Sequence, residues 1–149
     1  MGTTTGYGTT IGISAGAPAT FDAAGYAALT FTTVGGVEKI GTFGASVQKI
    51  EFQPLAGAKQ KHKGPADYGT LSPSMAYDPT DAGQTLLRTA CAPGNNALYS
   101  VKITLPDGGV RYAQVRGFGY PETVDGATSM VMAAPTLEIN TAVVKVDPT

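Results

Sequence analysis

Ile50-Glu51-Phe52-Gln53-Pro54, the basic stretch from Leu55 to Asp67, and Tyr68-Gly69-Thr70-Leu71-Ser72-Pro73-Ser74-Met75-Ala76-Tyr77 decide how this chain is read. The order is strand, long loop, strand. The loop, Pro54 to Asp67, carries Lys59, Lys61, His62 and Lys63, with almost nothing apolar to anchor it. A compact domain seldom keeps so long an unstructured connection unless the loop has a task. It either closes over a ligand or reaches onto another subunit, and the rest of the chain favours the second.

Outward from the loop, both flanking segments alternate. Before it, Ile50 and Phe52 share one face, and Lys49, Glu51 and Gln53 share the other. After it, Leu71, Pro73, Met75 and Tyr77 lie on one side, and Thr70, Ser72 and Ser74 on the opposite one. Pro73 removes a ladder donor and so marks an edge or a bulge.

One helix is expected over about residues 79–91. Asp78 is placed to cap it, Pro79 suits its first position, and Ala82, Leu86, Leu87 and Ala90 form its core face at helical spacing. Ala92-Pro93-Gly94 stops it. Tyr99, Val101, Ile103 and Leu105 then alternate with polar residues into the turn cluster Pro106-Asp107-Gly108-Gly109, which predicts a hairpin returning from Val110 to about Phe118. A further strand is expected over roughly 128–139, bulged at Pro135, and Val143 to Val146 is either a short strand or a tail. Upstream, Tyr26 to Val34 reads as a strand. Residues 1–20, rich in Gly, Thr and Ala, read as a flexible arm or a loosely held edge, and as an arm the segment would order on assembly.

These elements predict an all-β fold. It is a sandwich or partly closed barrel of two packed sheets with one flanking helix, in a single domain spanning residues 1–149.

Composition narrows the function. Charged residues make up 14% of the chain, against about 25% in an ordinary domain. A surface so poor in charge suits a subunit hidden in an assembly, or simply a β-rich domain with small side chains. A net charge of −1 supplies no field toward nucleic acid or anionic lipid. No run approaches the ~18 apolar residues of a membrane helix, so no membrane anchoring is expected.

Groups for catalysis are scarce. His62 is the only histidine and sits in a lysine run; Cys91 is the only cysteine and falls beside the helix stripe. One of each does not make an ordinary zinc site within one subunit. Neither a nucleophile elbow nor a phosphate-binding loop is present. Asp78 and Asp81 are explained by capping, and Glu122 and Asp125 lie in a turn. No enzyme activity, cofactor or metal is expected. The lysines of the loop have no interleaved aromatic residues, so they form either a solvated loop or an electrostatic clip onto an acidic patch of a neighbouring copy.

Several stretches, taken in order, carry a resemblance: Ile50 to Leu55, the basic loop, and Asp67 to Leu71; Tyr77-Asp78-Pro79-Thr80-Asp81-Ala82-Gly83-Gln84; Tyr99 to Gly109; and Met132-Ala133-Ala134-Pro135-Thr136-Leu137-Glu138-Ile139. Over about residues 25–146 the chain resembles the major tail tube protein of long, non-contractile-tailed (siphovirus-type) bacteriophages and of gene transfer agents. The resemblance implies a virion subunit assembled in the host cytoplasm. Six copies form a ring, and rings stack into a tube that conducts double-stranded DNA without reading its sequence. It also implies tape-measure, tail-tip and terminator proteins as partners.

The loop carried over as the ring-stacking element is Pro54, Leu55, Lys59, Lys61, His62, Lys63 and Asp67. Lys49, Glu51, Gln53, Thr70, Ser72 and Ser74 face either the lumen or bulk solvent. The family's lumens tend to be acidic, whereas only Glu51 would contribute here and Lys49 opposes it. Some relatives add an immunoglobulin-like domain after the core, and none is expected here. The competing expectation is a small β-sandwich binding module that recognises a protein or glycan through the 54–67 loop.

Overall fold

Alternating apolar residues build most of the strands, and two buried prolines decide where the chain changes sheet. The computed structural model describes residues 3–148. Along the chain run β1 (Thr10–Ser14), α1 (Ala23–Ala27), β2 (Thr32–Thr33), β3 (Val37–Lys39), β4 (Ser46–Phe52), β5 (Gln60–Asp67), β6 (Thr70–Leu71) and β7 (Ser74–Ala76). They are followed by α2 (Ala82–Ala90), β8 (Tyr99–Thr104), β9 (Val110–Gly119), β10 (Glu122–Thr123), β11 (Met132–Ala133), β12 (Thr136–Ile139) and β13 (Val144–Val146).

A seven-stranded sheet has the order β2-β1-β8-β9-β12-β6, with β13 also on β9; a four-stranded sheet has the order β10-β11-β7-β3. The two sheets share one core. Ile11, Ile13, Val101, Ile103, Val115, Leu71 and Leu137 come from the larger sheet, and Met75 and Ala133 from the smaller. This is the all-β sandwich; its strands do not close into a barrel. The segment 68–77 is not one strand. Leu71 pairs with Leu137 in the larger sheet, and Met75 pairs with Ala133 in the smaller. The chain changes sheets at Pro73, as it does again at Pro135.

Helix α2 begins later than expected. Asp81, not Asp78, is its N-cap, because the Asp81 carboxylate accepts from the Gln84 N–H at 2.9 Å and the Gly35 N–H at 3.0 Å. Pro79 therefore stands before the helix. Leu87 and Ala90 are buried and Leu86 is half-buried, but Ala82 is exposed; Gly83 and Gln84 take the buried positions instead. Gly83 lies under Thr33 and Val34, where a side chain would collide with backbone, and Gly117 makes the matching close approach to Ala90 and Cys91. These two glycines let α2 sit directly on the larger sheet.

Within the segment read as an arm or loose edge, Thr10–Ser14 form a strand, while residues 3–8 are exposed and outside any strand or helix. β1 lies inside the larger sheet between β2 and β8, with Ile11 and Ile13 buried; residues 1–2 lie outside the described residues. Tyr26, read as the start of a strand, belongs to α1. Asp22 caps this helix, and the Tyr26 ring is buried and stacked on Tyr112 at 5.2 Å. A second helix thus joins the one expected.

Candidate functional site

The stretch read as a long loop forms half of a hairpin. β4 and β5 pair only with each other, antiparallel, as a separate two-stranded sheet. Residues 60–67 are strand, which confines the irregular connection to the turn between Phe52 and Gln60. Gln53 staples that turn: its amide donates to the carbonyls of Pro54 and Gly57, both at 3.0 Å. A register shift lies between Val47 and Lys49, opposite Gly64 and Pro65. A side chain at Gly64 would crowd Ile50 Cδ1 at 3.0 Å, so glycine allows the bulge to close.

The register sorts the hairpin into two faces. Lys49 stands opposite Lys63, and Glu51 opposite Lys61. Glu51 Oε1 lies 3.7 Å from both Lys49 Nζ and Lys59 Nζ. One face therefore gathers four lysines around a single carboxylate. Two like charges directly opposite each other, Lys49 and Lys63, disfavour the pairing unless an anion offsets them. The other face holds Ile50 beside His62 and Phe52 beside Gln60, with Ile50 49% and Phe52 56% exposed. Leu55 extends fully exposed from the turn.

Every residue of β4 is exposed, as is every residue of β5 except the half-buried Gly64. Neither face of this amphipathic hairpin is covered by the rest of the chain. Its two outer strand edges also carry unpaired backbone groups. Its four lysines and two acids, Glu51 and Asp67, leave the rest of the chain with six cations and nine acids, so the hairpin and the body carry opposite charge.

The six polar residues read as one lumen-or-solvent face are divided by the structure. Lys49 and Glu51 lie on the cationic face of the hairpin, and Gln53 lies in its turn. Thr70, Ser72 and Ser74 belong to the sandwich body, where the Thr70 hydroxyl donates to Glu138 at 2.8 Å and the Ser74 hydroxyl to Glu38 at 3.4 Å. Of the loop residues, Lys59, Lys61 and Lys63 come together on one side, His62 turns to the other, and Asp67 closes the hairpin base opposite Ser46. Pro54 and Leu55 are in the turn. The exposed apolar face of Ile50 and Phe52 was not expected as a surface. Its signal was the lysine at every second position from Lys59 to Lys63, which is strand periodicity.

Away from the hairpin, burial pushes the Cys91 thiol above its ordinary range despite an opposing hydrogen bond from the Gly119 backbone, so the neutral thiol is the held form. Burial likewise raises the Tyr120 hydroxyl, against a nearby Arg88 charge. Among the described residues no group of three His, Cys, Asp or Glu is arranged to hold a metal ion, and no helix is long and apolar enough to cross a membrane.

No protein-family model matches the chain, and no curated protein matches it. Solved structures do. The sheath/tube terminator of an extracellular contractile injection system, PVC, in its extended state, superposes with a TM-score of 0.70 at 12% identity, covering 95% of this chain and 94% of that one. A chain from the virion of a native gene transfer agent particle gives 0.61 at 10% identity, over 78% of this chain and 89% of the other. The SPP1 tail tube gives 0.58 at 14% identity, over 95% and 78%. The resemblance read from the sequence therefore holds at the level of fold: this chain has the tail-tube fold.

Proposed function

We propose that this protein is a structural tail tube subunit that assembles with copies of itself, six to a ring, into a stacked hollow tube for the passage of double-stranded DNA in a virion. The observation that carries this reading is the amphipathic β4–β5 hairpin, exposed on both faces and opposite in charge to the rest of the chain. A lone monomer gains nothing from two uncovered faces. A subunit that inserts the hairpin against the next copy buries Ile50 and Phe52 and brings the lysines toward acidic side chains. Such a contact joins different surfaces of two copies, so it does not close on itself and it propagates.

The tail-tube fold supports the same reading. In this account the hairpin is the ring-stacking element, and terminator and tape-measure proteins meet the ends and the interior of the tube. Thr70 and Ser72 suit a wet lumen better than the lysine face does, because cations would grip passing phosphates.

Sedimentation velocity of the intact protein and of Phe52→Glu tests this. Because Phe52 is exposed, the variant should fold normally and lose association by at least tenfold. Equal association of the two proteins would remove the hairpin from the contact.

A further inference from the structure

A second pair of complementary surfaces includes one at the base of the hairpin, where Ala45 and Tyr68 flank β4 and β5. At the β8–β9 turn end of the sandwich, a groove of about 570 Å³ is walled by Phe43, Tyr68, Leu105 and Val143, with Arg111 and Lys145 on its lining. Arg111 and Lys145 are direct partners in the β9–β13 register. Two cations opposite each other in an antiparallel pair are unfavourable unless a carboxylate joins them. Among the described residues neither makes a salt bridge; the Arg111 guanidinium reaches only the Val110 carbonyl, at 3.1 Å.

The reverse composition occurs in the segment 121–131. All of it is exposed, it contains Glu122 and Asp125 with no lysine or arginine, and it carries Val124 at 74% and Met130 at 69% exposure. Neither carboxylate makes a salt bridge among the described residues.

The groove lies at the start of β9, and the acidic segment follows its end. From Arg111 to Gly119 is about 27 Å along the strand. The two surfaces match in charge and in apolar content, yet they cannot meet within one chain.

We infer that the groove of one copy receives the 121–131 segment of a second copy. Glu122 and Asp125 approach Arg111 and Lys145, and Val124 and Met130 fill the apolar walls. Because the two patches sit at opposite ends of β9, the contact is head-to-tail, and each copy joins two neighbours. The inference rests on the self-assembly reading above and assigns it a second interface, distinct from the Ile50 and Phe52 face of the hairpin.

Charge exchange tests it. One variant carries Arg111→Glu and Lys145→Glu, so both its groove and its segment are acidic. The other carries Glu122→Lys and Asp125→Lys, so both are basic. By sedimentation velocity each variant alone should associate at least tenfold more weakly than the original chain, and an equimolar mixture should recover the loss, because each groove then meets a segment of opposite charge. Recovery also establishes that both variants fold. Unchanged association of either variant alone, or no recovery in the mixture, overturns the interface. If Phe52→Glu abolishes association while these variants do not weaken it, this interface falls and the hairpin-driven assembly stands. If the original chain does not associate at all, both fall.

Discussion

Pro73 and Pro135 stand opposite each other in one antiparallel register. Leu71 pairs with Leu137 on one side of them and Met75 with Ala133 on the other, and both prolines are almost fully buried. The backbone bonds from Ile139 N–H to the Gly69 carbonyl (2.9 Å) and from Tyr77 N–H to the Val131 carbonyl (2.7 Å) fix which positions of this register are the hydrogen-bonded ones. Counting by twos from either bond reaches Pro73 and Pro135. They occupy a rung where each residue should donate and neither can. The ladder breaks there, and both chain segments pass from the seven-stranded to the four-stranded sheet together.

Replacing either proline by alanine should therefore cost about 1–3 kcal/mol, through lost packing and greater freedom of the unfolded chain. The two costs should not add. Pro73→Ala and Pro135→Ala together restore both donors of the rung, so the double variant should lose less than the sum. Urea unfolding of the four proteins in a double-mutant cycle measures this, and additivity within about 0.5 kcal/mol would show that the rung is not shared.

Gln84 ties α2 to β7 and to the β2–β3 connection. Fully buried, it donates to the carbonyls of Gly35 and Ala76, both at 2.8 Å, and accepts from the Asp78 N–H at 2.9 Å. Gln84→Met keeps the volume and strands all three backbone groups. The expected loss is about 3 kcal/mol or more, since each unsatisfied buried group costs about 1–3 kcal/mol. Thermal unfolding monitored by circular dichroism checks it, and a loss under about 1 kcal/mol would mean that water replaces the glutamine.

Two exposed carboxylates shape the acid limb of stability. Asp22 is held below the usual carboxylate range by the Gly25 N–H and then by the Thr20 hydroxyl, and Asp78 by the Thr80 hydroxyl and then by the Thr80 N–H. A lowered folded value means that the contribution is present above the unfolded pKa, near 3.9, and is lost as pH falls through the folded values. Melting temperature should hold down to about pH 5 and then decline. The variant with Asp22→Asn and Asp78→Asn should decline less steeply over the same range.

Strong local patterns were legible in the sequence. The alternation from Tyr99 to Leu105 and the Pro106-Asp107-Gly108-Gly109 turn correspond to the β8–β9 hairpin, and the stripe containing Leu87 and Ala90 lies on the buried side of α2. The inward side of Leu71, Pro73 and Met75 was also readable, although the change of sheet between them was not, since it depends on Pro135 standing sixty-two residues away. β5 escaped because Gln60-Lys61-His62-Lys63-Gly64-Pro65-Ala66 holds no β-branched residue and contains both Gly and Pro; pairing with β4 makes it a strand. β1 escaped because glycine and threonine surround Ile11 and Ile13, whose burial comes from β8 and the rest of the core. The groove at Arg111 and Lys145 is assembled from six separate stretches of chain, and no local pattern signals it.

Negative-stain electron microscopy of the purified protein at high concentration tests the central claim most directly. The account predicts hollow tubes built of stacked sixfold rings, absent from grids of the Phe52→Glu variant. Discrete monomers of the intact chain at every concentration, with no rings and no tubes, would contradict it.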